Sequence, residues 1–290
     1  MKKIKKLDII DVLLFILLSL WGLVILIPFL NAVAISFTSH KEYLESPLLL
    51  IPKAPEFKAY QELFNDSRIG IGYRTTLTII AIGVPLSLFL SSATGYALSR
   101  RGYPGRKFFL YFVIFTMIFH GGIVPTYLVV RSLKLTNTIW SVILTGGMNT
   151  FYMILMYNYF RSLPESLMES ARLDGASEWR ILFNIVIPLS LPIVATLTLF
   201  YTVDKWNEWF GAMIYIRKST LQPLQLVLRS IVFDSITVTQ NASAMVMIER
   251  PFTMGIKMAA VVITMLPIMC IYPFLQKHFA KGVMVGAIKA

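Results

Sequence analysis

Few side chains in this 290-residue sequence have the types and spacing that catalysis or metal binding requires. Glu165 and Glu169 stand one helical turn apart, where two carboxylates could share acid–base chemistry on a lipid-linked sugar. The three histidines are scattered without metal-ligand spacing, and the single cysteine, Cys270, lies in an apolar run that predicts a buried small hydrophobe. No Gly-x-x-x-x-Gly-Lys-[Ser/Thr] phosphate loop occurs. The sequence therefore predicts no catalytic residue, no metal site and no cofactor bound by this chain.

Composition places most of the chain in a membrane. The sequence is 56% hydrophobic and 14% charged, with a mean hydropathy of +0.68, whereas a soluble domain is about one quarter charged. The apolar residues form six blocks near the roughly 20 residues needed to cross a bilayer. These blocks cover residues 12–35, 75–98, 108–130, 139–160, 185–203 and 258–274. The predicted fold class is an all-α membrane protein with six transmembrane helices in a single domain, 1–290.

The distribution of Lys and Arg predicts the orientation of these blocks. The net charge of +12 comes from basic residues scattered between the blocks, which suits topology-setting loops better than a nucleic-acid surface. They are denser in the N-terminus, around 100–107, in 161–180 and in the tail, 276–290, than in the other connections. Both termini are therefore predicted to be cytoplasmic. The longest external loop, 204–257, is too polar to span and is expected to fold back as a reentrant or lid segment.

The first apolar block resembles a signal peptide, because lysines precede it and Ala32-Val33-Ala34 has the pattern of a cleavage site. Its apolar part is longer than the usual stretch of about 7–15 residues, and five further blocks follow it. We therefore expect it to be retained as a membrane anchor.

A polar stretch separates the fourth and fifth blocks. Ser162 and Glu165 have the spacing of a capping box at the start of a helix. Gly175 predicts the end of that helix, because glycine adopts positive φ without a Cβ clash, and Ser177 can cap a second helix. The 162–186 segment is therefore predicted to be a cytoplasmic helix–turn–helix between transmembrane helices 4 and 5.

Both helices of this segment have a predicted apolar face. The apolar residues recur at helical spacing, at Leu163, Leu167 and Ala171 in the first helix and at Trp179, Leu182, Phe183 and Val186 in the second. A partner that moved the first helix would move the fifth span, which begins near Pro188. An amphipathic loop lying on lipid headgroups would show the same pattern, so the residues alone leave both interpretations open.

The 162–186 segment resembles the EAA loop of binding-protein-dependent ABC-importer permeases. The family pattern is Glu-Ala-Ala, three residues, Gly, nine residues, Ile-x-Leu-Pro, and this chain departs from it at Ser170 and Ile187. The segments 119–127, 206–210, 223–229 and 276–283 resemble carbohydrate permeases of the maltose-importer type, in the branch that handles oligosaccharides. By this resemblance, the residues that couple the chain to an ATPase are Glu169, Ala171, Arg172, Asp174, Gly175, Trp179 and Pro188.

The resemblance also implies the assembly and the location. It implies a bacterial inner-membrane importer with two different permease subunits, two ATP-binding subunits that hold ATP and magnesium, and an extracytoplasmic sugar-binding protein. This chain would be a transport subunit and not an enzyme, and ATP hydrolysis on its partners would drive alternating access.

Candidate residues for the sugar passage come from chemistry, because aromatic faces stack on sugar C–H surfaces and amides meet ring hydroxyls. The candidates are Asn149, Tyr152, Tyr157, Tyr201, Trp206, Asn207 and Trp209. An interfacial aromatic belt would explain the tryptophans equally well, and helix packing would explain the tyrosines of the fourth block. The predicted external loops are slightly positive, which favours an acidic oligosaccharide.

Two further functions stay open on the sequence. A stand-alone secondary carrier usually keeps titratable groups at mid-membrane, and this chain offers Asp204 near a span end and little else. An ABC permease for a solute other than sugar would share the 162–186 pattern.

Overall fold

The computed structural model describes residues 9–240 and 253–282, and the side chains within 10–233 and 253–270. Every regular element in those ranges is helical, so the prediction of an all-α protein is confirmed. The basic N-terminus, residues 241–252 of the predicted external loop and the end of the predicted tail lie outside the described residues. The chain divides into two compact units, residues 1–67 with 228–266 and residues 68–227 with 267–290.

The first unit contains the most apolar helix of the described chain. Its elements are α1 (Ile9–Ser36), α2 (His40–Glu45), α3 (Lys58–Asn65), most of α14 (Leu224–Gln240) and the first part of α15 (Thr253–Gly282). The apolar window of α1 is 0% buried, so its side chains are available to lipid or to another subunit. The Ser36 hydroxyl shares a 2.8 Å hydrogen bond with the Tyr60 hydroxyl, and Glu42 accepts one of 2.6 Å from the Lys53 backbone nitrogen. The first bond joins α1 to α3, and the second joins α2 to the loop that precedes α3.

Helix α4 (Ser67–Ser99) is a continuous span in the second unit, and it covers the second predicted block. A stripe of small buried residues recurs at every fourth position, at Gly83, Ser87, Ser91, Gly95 and Ser99. Small side chains let membrane helices approach closely. A Cβ at Gly95 would lie 3.2 Å from the Tyr157 backbone nitrogen, so glycine is what permits this contact between helices.

The third and fourth predicted blocks are not single helices. The third is α5 (Arg106–Ile118) and α6 (Ile123–Ser132), bent by 115° at the Gly121-Gly122 pair. The fourth is α7 (Trp140–Thr145) and α8 (Thr150–Ser162), separated by Gly146-Gly147 and restarted by the Asn149 cap. Glycine pairs lower the preference for helix, which accounts for both breaks.

The fifth predicted block is also bent. After α9 (Glu165–Leu173) the chain continues through α10 (Glu178–Ile181), a π-helical segment (Leu182–Val186) and α11 (Ile187–Leu189). It then turns by 88° into α12 (Leu191–Trp206). Pro188 and Pro192 flank the bend, where each lacks a backbone donor. The described residues contain three helices long and apolar enough to span, or five if each bent pair is one span, so the six-helix arrangement stays a prediction.

The described part of the predicted external loop is helical and packed. It contains α13 (Phe210–Tyr215), a 3₁₀ turn (Ser219–Leu221) and the start of α14. Tyr215, Ile216 and Leu226 are buried in one cluster with Ile79 of α4 and Ile143 of α7. Cys270 lies in the apolar stretch of α15 and was expected to be buried, but it is exposed among the described residues.

Candidate functional site

A tight turn joins α9 to α10. Gly175 adopts φ +77°, its nitrogen donates to the Arg172 carbonyl at 3.0 Å, and the Ala176 nitrogen donates to the Ala171 carbonyl at 2.9 Å. This pair of hydrogen bonds is a Schellman C-cap, which needs a residue at positive φ. The Ser177 hydroxyl then accepts from the Arg180 nitrogen and caps α10. The helix-ending role predicted for Gly175 and the capping role predicted for Ser177 are both confirmed.

The capping box predicted at Ser162 and Glu165 is wrong. The Ser162 hydroxyl donates to the Tyr159 carbonyl at 2.7 Å, because Ser162 still belongs to the last turn of α8. Helix α9 starts at Glu165 after Pro164, with no side-chain cap. The Glu165 carboxylate instead lies 3.5 Å from the Arg101 guanidinium, which links α9 to the end of α4.

The two predicted apolar faces are buried only in part. In α9 Met168 is 1% exposed, whereas Leu167 is 45% exposed. In the second helix Leu182 and Val186 are buried, but Trp179 is 57% exposed and Phe183 is also exposed. Phe183 lies in the π-helical segment, whose wider turn departs from the 3.6-residue period of the predicted face.

A polar network ties the 162–186 segment to α4. The Tyr96 hydroxyl donates to Glu178 Oε2 at 2.5 Å, and Arg172 Nε donates to Glu178 Oε1 at 2.7 Å. The hydrogen bond to Glu178 raises the pKa of the Arg172 guanidinium above its ordinary value, so the ion pair holds across the physiological pH range. Because both partners are more than one third exposed, the pair contributes at most about 1 kcal/mol to stability. Its effect is mainly geometric, since one carboxylate joins α4, α9 and α10.

A cavity of about 550 Å³ lies between the end of α4 and the 162–186 segment. Its lining includes the network residues Tyr96, Arg172 and Glu178, together with Arg100, Arg101 and Trp179. The Arg100 guanidinium lies 4.7 Å from the centre of the Tyr96 ring and donates to the Met168 sulfur. Burial lowers the pKa of Arg100, but arginine's ordinary pKa is high enough that the group stays charged.

The predicted coupling residues are spread over this region. Arg172 and Trp179 line the cavity, and Ala171 packs against the buried cluster around Met168 and Leu182. The other four, Glu169, Asp174, Gly175 and Pro188, are exposed. The structure therefore places Arg172 and Trp179 at one cavity and Ala171 on the buried cluster, and it leaves those four on the surface of the described chain.

Three of the predicted passage residues form one cluster. The buried Tyr201 hydroxyl accepts from the Asn149 nitrogen at 3.1 Å and shares a 2.7 Å hydrogen bond with the Ser91 hydroxyl. The Tyr152 ring packs edge-on against the Tyr201 ring, with 5.0 Å between ring centres. The Asn149 side chain accepts from the Phe151 nitrogen at 2.9 Å and thereby caps α8.

The other four passage candidates lie apart from this cluster. Tyr157 accepts hydrogen bonds from Arg106 at 2.9 Å and from Arg161 at 3.3 Å. Trp206 is 6% exposed and packs edge-on against Tyr73. The remaining two are Asn207, an exposed residue that accepts from Gln225 at 3.4 Å, and Trp209, a half-buried residue that packs edge-on against Phe210.

The fold also brings together several polar residues that were not among the predicted site residues. Lys205 is 4% exposed, and its ammonium group donates to the Gly146 carbonyl at 2.8 Å, in the break between α7 and α8. A lysine at the end of an apolar span was a readable signal, because charges are costly in a membrane and usually have a role there. Tyr96 and Glu178 carried no such signal, since 82 residues separate them in sequence.

Helical spans with bends, small-residue packing and a helix–turn–helix before the last bend define a membrane permease. Residues 83–285 match the family described as "Binding-protein-dependent transport system inner membrane component", and the chain belongs to that family.

Relatives and a solved structure agree with this assignment. The chain is 39% identical over 279 residues to the polygalacturonan/rhamnogalacturonan transport system permease protein YtcP of Bacillus subtilis (strain 168), covering 96% of this chain and 98% of the relative. It is 40% identical over 268 residues to Protein LplC of the same organism, covering 92% and 90%. A crystal structure of a bacterial ABC transporter that imports the acidic polysaccharide alginate matches with a TM-score of 0.84 and 30% identity, covering 93% of this chain and 96% of that one.

Proposed function

We propose that this chain is the permease subunit of an ATP-driven importer for oligosaccharides that contain acidic sugars. Two similar proteins support the substrate class, since one is named for polygalacturonan and the other belongs to an alginate importer. Both polymers are built from uronic acids and carry carboxylates. The slight positive charge of the proposed external loops would attract such a substrate electrostatically.

The network of Tyr96, Glu178 and Arg172 is the observation that carries the coupling mechanism. Because Glu178 binds both α4 and α9, a push on the helix–turn–helix reaches α4 directly as well as the following helix α12. Among the predicted coupling residues, those with exposed side chains outside the network and its cavity are Glu169, Asp174 and Pro188, and these are available to an ATP-binding subunit. In this proposal the 162–186 segment lies on the cytoplasmic side and transmits ATP-driven movement to the spans.

The proposed assembly follows the family. The chain forms one permease domain, 1–290, with six spans and both termini in the cytoplasm of a bacterial cell. It pairs with a second permease, two ATP-binding subunits that hold ATP and magnesium, and an extracytoplasmic sugar-binding protein. The uncovered apolar side chains of α1 suit contact with lipid or with that second permease.

The proposed sugar passage runs beside the cluster of Asn149, Tyr152 and Tyr201, where an amide and two aromatic rings meet. Asn207 and Trp209 lie beyond the end of α12, and they contribute to the outer end of the proposed passage. The bends of 115° and 88° supply the hinges for alternating access. Tyr157 is not assigned to the passage, because its hydroxyl already accepts hydrogen bonds from Arg106 and Arg161.

Ligand-stimulated ATP hydrolysis tests this function. The importer is purified through this chain with the subunits that accompany it, reconstituted in liposomes, and supplied with its binding protein. Oligogalacturonides are compared with neutral galacto-oligosaccharides of equal length. We expect ATP hydrolysis and uptake to rise with the uronic acid ligands. Uptake that follows an ion gradient without ATP would overturn the importer, and stimulation by neutral sugars alone would overturn the substrate class.

A further inference from the structure

The cavity beside α4 contains a half-buried cation, Arg100, that forms no direct salt bridge among the described residues. Arg100 contacts the Tyr96 ring, the Met168 sulfur and the Ser99 hydroxyl, and none of these carries a negative charge. The two carboxylates in the lining are engaged elsewhere, since Glu165 pairs with Arg101 and Glu178 binds Arg172 and Tyr96. With three arginines and two glutamates, the lining has an excess of one positive charge.

This cation lies at the boundary of a membrane span. Helix α4 is long and apolar enough to cross a bilayer and ends at Ser99, so Arg100 is the first residue beyond the span. Lipid headgroups occupy this depth, and basic pockets between membrane helices bind anionic headgroups. The cavity volume of about 550 Å³ is within the range of small-molecule sites.

An exposed aromatic ladder begins at the same cavity. Trp179 lines the cavity and stacks on Phe183 and Phe89, with ring centres 6.1 Å away in each case and nearly parallel planes. All three side chains are exposed in the described chain. Such a surface suits an acyl chain, while the guanidinium at its end suits a phosphate, which accepts paired N–H bonds from arginine.

We propose that the cavity beside Arg100 binds the phosphate of an anionic phospholipid, with an acyl chain along Phe89, Trp179 and Phe183. The bound lipid supplies the negative charge that the lining lacks. Because the site touches Tyr96, Arg172 and Glu178, the lipid also braces the helix–turn–helix against α4. This inference goes beyond the transport function and does not depend on the identity of the substrate.

Lipid binding to the purified importer tests the proposal. Dihexanoyl phosphatidylglycerol, dihexanoyl phosphatidylcholine and inorganic phosphate are titrated by calorimetry in neutral detergent. We expect phosphatidylglycerol to bind most tightly and Arg100→Gln to weaken it by about tenfold or more, as the loss of a charged hydrogen-bond partner implies. Lys107→Gln is the matched control, because it removes one exposed charge near the same end of α4 but outside the cavity.

A conservative variant keeps the test decisive if Arg100→Gln fails to fold. Arg100→Lys retains the charge but loses the planar fork, so we expect affinity between those of the wild type and the Gln variant. Equal binding of the two lipids would overturn the proposal, as would phosphate binding as tight as that of phosphatidylglycerol, which would indicate a soluble anion. Equal affinity of the Arg100→Gln and Lys107→Gln variants would overturn it too, as would a cavity that another subunit closes against lipid in the assembled importer.

Discussion

The Lys205 ammonium group donates a 2.8 Å hydrogen bond to the Gly146 carbonyl, which joins the end of α12 to the break between α7 and α8. The contact is close, because a Cβ placed on Gly146 would lie 2.7 Å from Nζ. The carbonyl is free to accept because the helix is broken at this point. A buried charge and a helix break thus stabilise each other, and movement of α12 is linked to the start of α8.

A double-mutant cycle measures this link. Gly146→Ala displaces the ammonium group, and we expect the free energy of unfolding to fall by about 1–3 kcal/mol, the range for a lost hydrogen bond to a charged group. In the Lys205→Met background the same alanine should have a much smaller effect, since the bond is already absent. Thermal unfolding of the four purified forms gives the coupling energy. Additive effects would show that Lys205 and Gly146 act independently.

Glu178→Gln tests the network between α4 and the helix–turn–helix. The amide keeps the shape but loses the charge that binds Arg172, so we expect sugar-stimulated ATP hydrolysis to persist while uptake per ATP falls several-fold. Stability should change by less than about 1 kcal/mol, because the pair is largely exposed. Glu62→Gln is the control, since it removes an exposed acid of α3 outside the network and the helix–turn–helix. An equal loss in both variants would contradict a specific role for Glu178.

Gly175 tests whether the rigid turn transmits force. Proline cannot adopt φ +77° and lacks the backbone N–H that donates to the Arg172 carbonyl, so Gly175→Pro should separate ATP hydrolysis from transport while the protein still inserts. Gly175→Ala should have a weaker effect, because only its backbone conformation is strained and open space surrounds the added Cβ. Gly70→Ala, an exposed change in α4 with ordinary φ and open space around the added Cβ, is the control. Normal uptake by the proline variant would contradict the mechanism.

Local sequence signals predicted the turn at Gly175, but not the contacts that attach the helix–turn–helix to α4. Gly175 and Ser177 were readable because a C-cap and an N-cap each depend on a few adjacent residues. The Ser162 cap was predicted wrongly because α8 extends two residues past the predicted block, and its Tyr159 carbonyl accepts the Ser162 hydroxyl. The contact between Tyr96 and Glu178 joins residues far apart in sequence, and no local period reports it.

The bends in the third and fifth predicted blocks were not predicted from the sequence, for a different reason. Hydropathy identified the third and fifth blocks correctly as apolar, but a window of average hydropathy does not register a change of direction. The glycine pairs at 121–122 and 146–147 were the available signal for two breaks, because glycine disfavours the middle of a helix. The exposure of Phe183 could not be predicted from a 3.6-residue period, since Phe183 lies in a π-helical turn.

Trp206 and Asn207 are adjacent in sequence but should respond differently to alanine. Trp206 is buried against Tyr73, so Trp206→Ala should lower the free energy of unfolding by about 3 kcal/mol, as expected for a large side chain removed from a packed site. Asn207 is exposed at the end of α12, so Asn207→Ala should leave thermal stability unchanged and raise the KM for oligosaccharide uptake. Lys218 is exposed directly before the 3₁₀ turn that follows α13, and Lys218→Ala should alter neither stability nor KM. Unchanged uptake kinetics in the Asn207 variant would remove that residue from the passage.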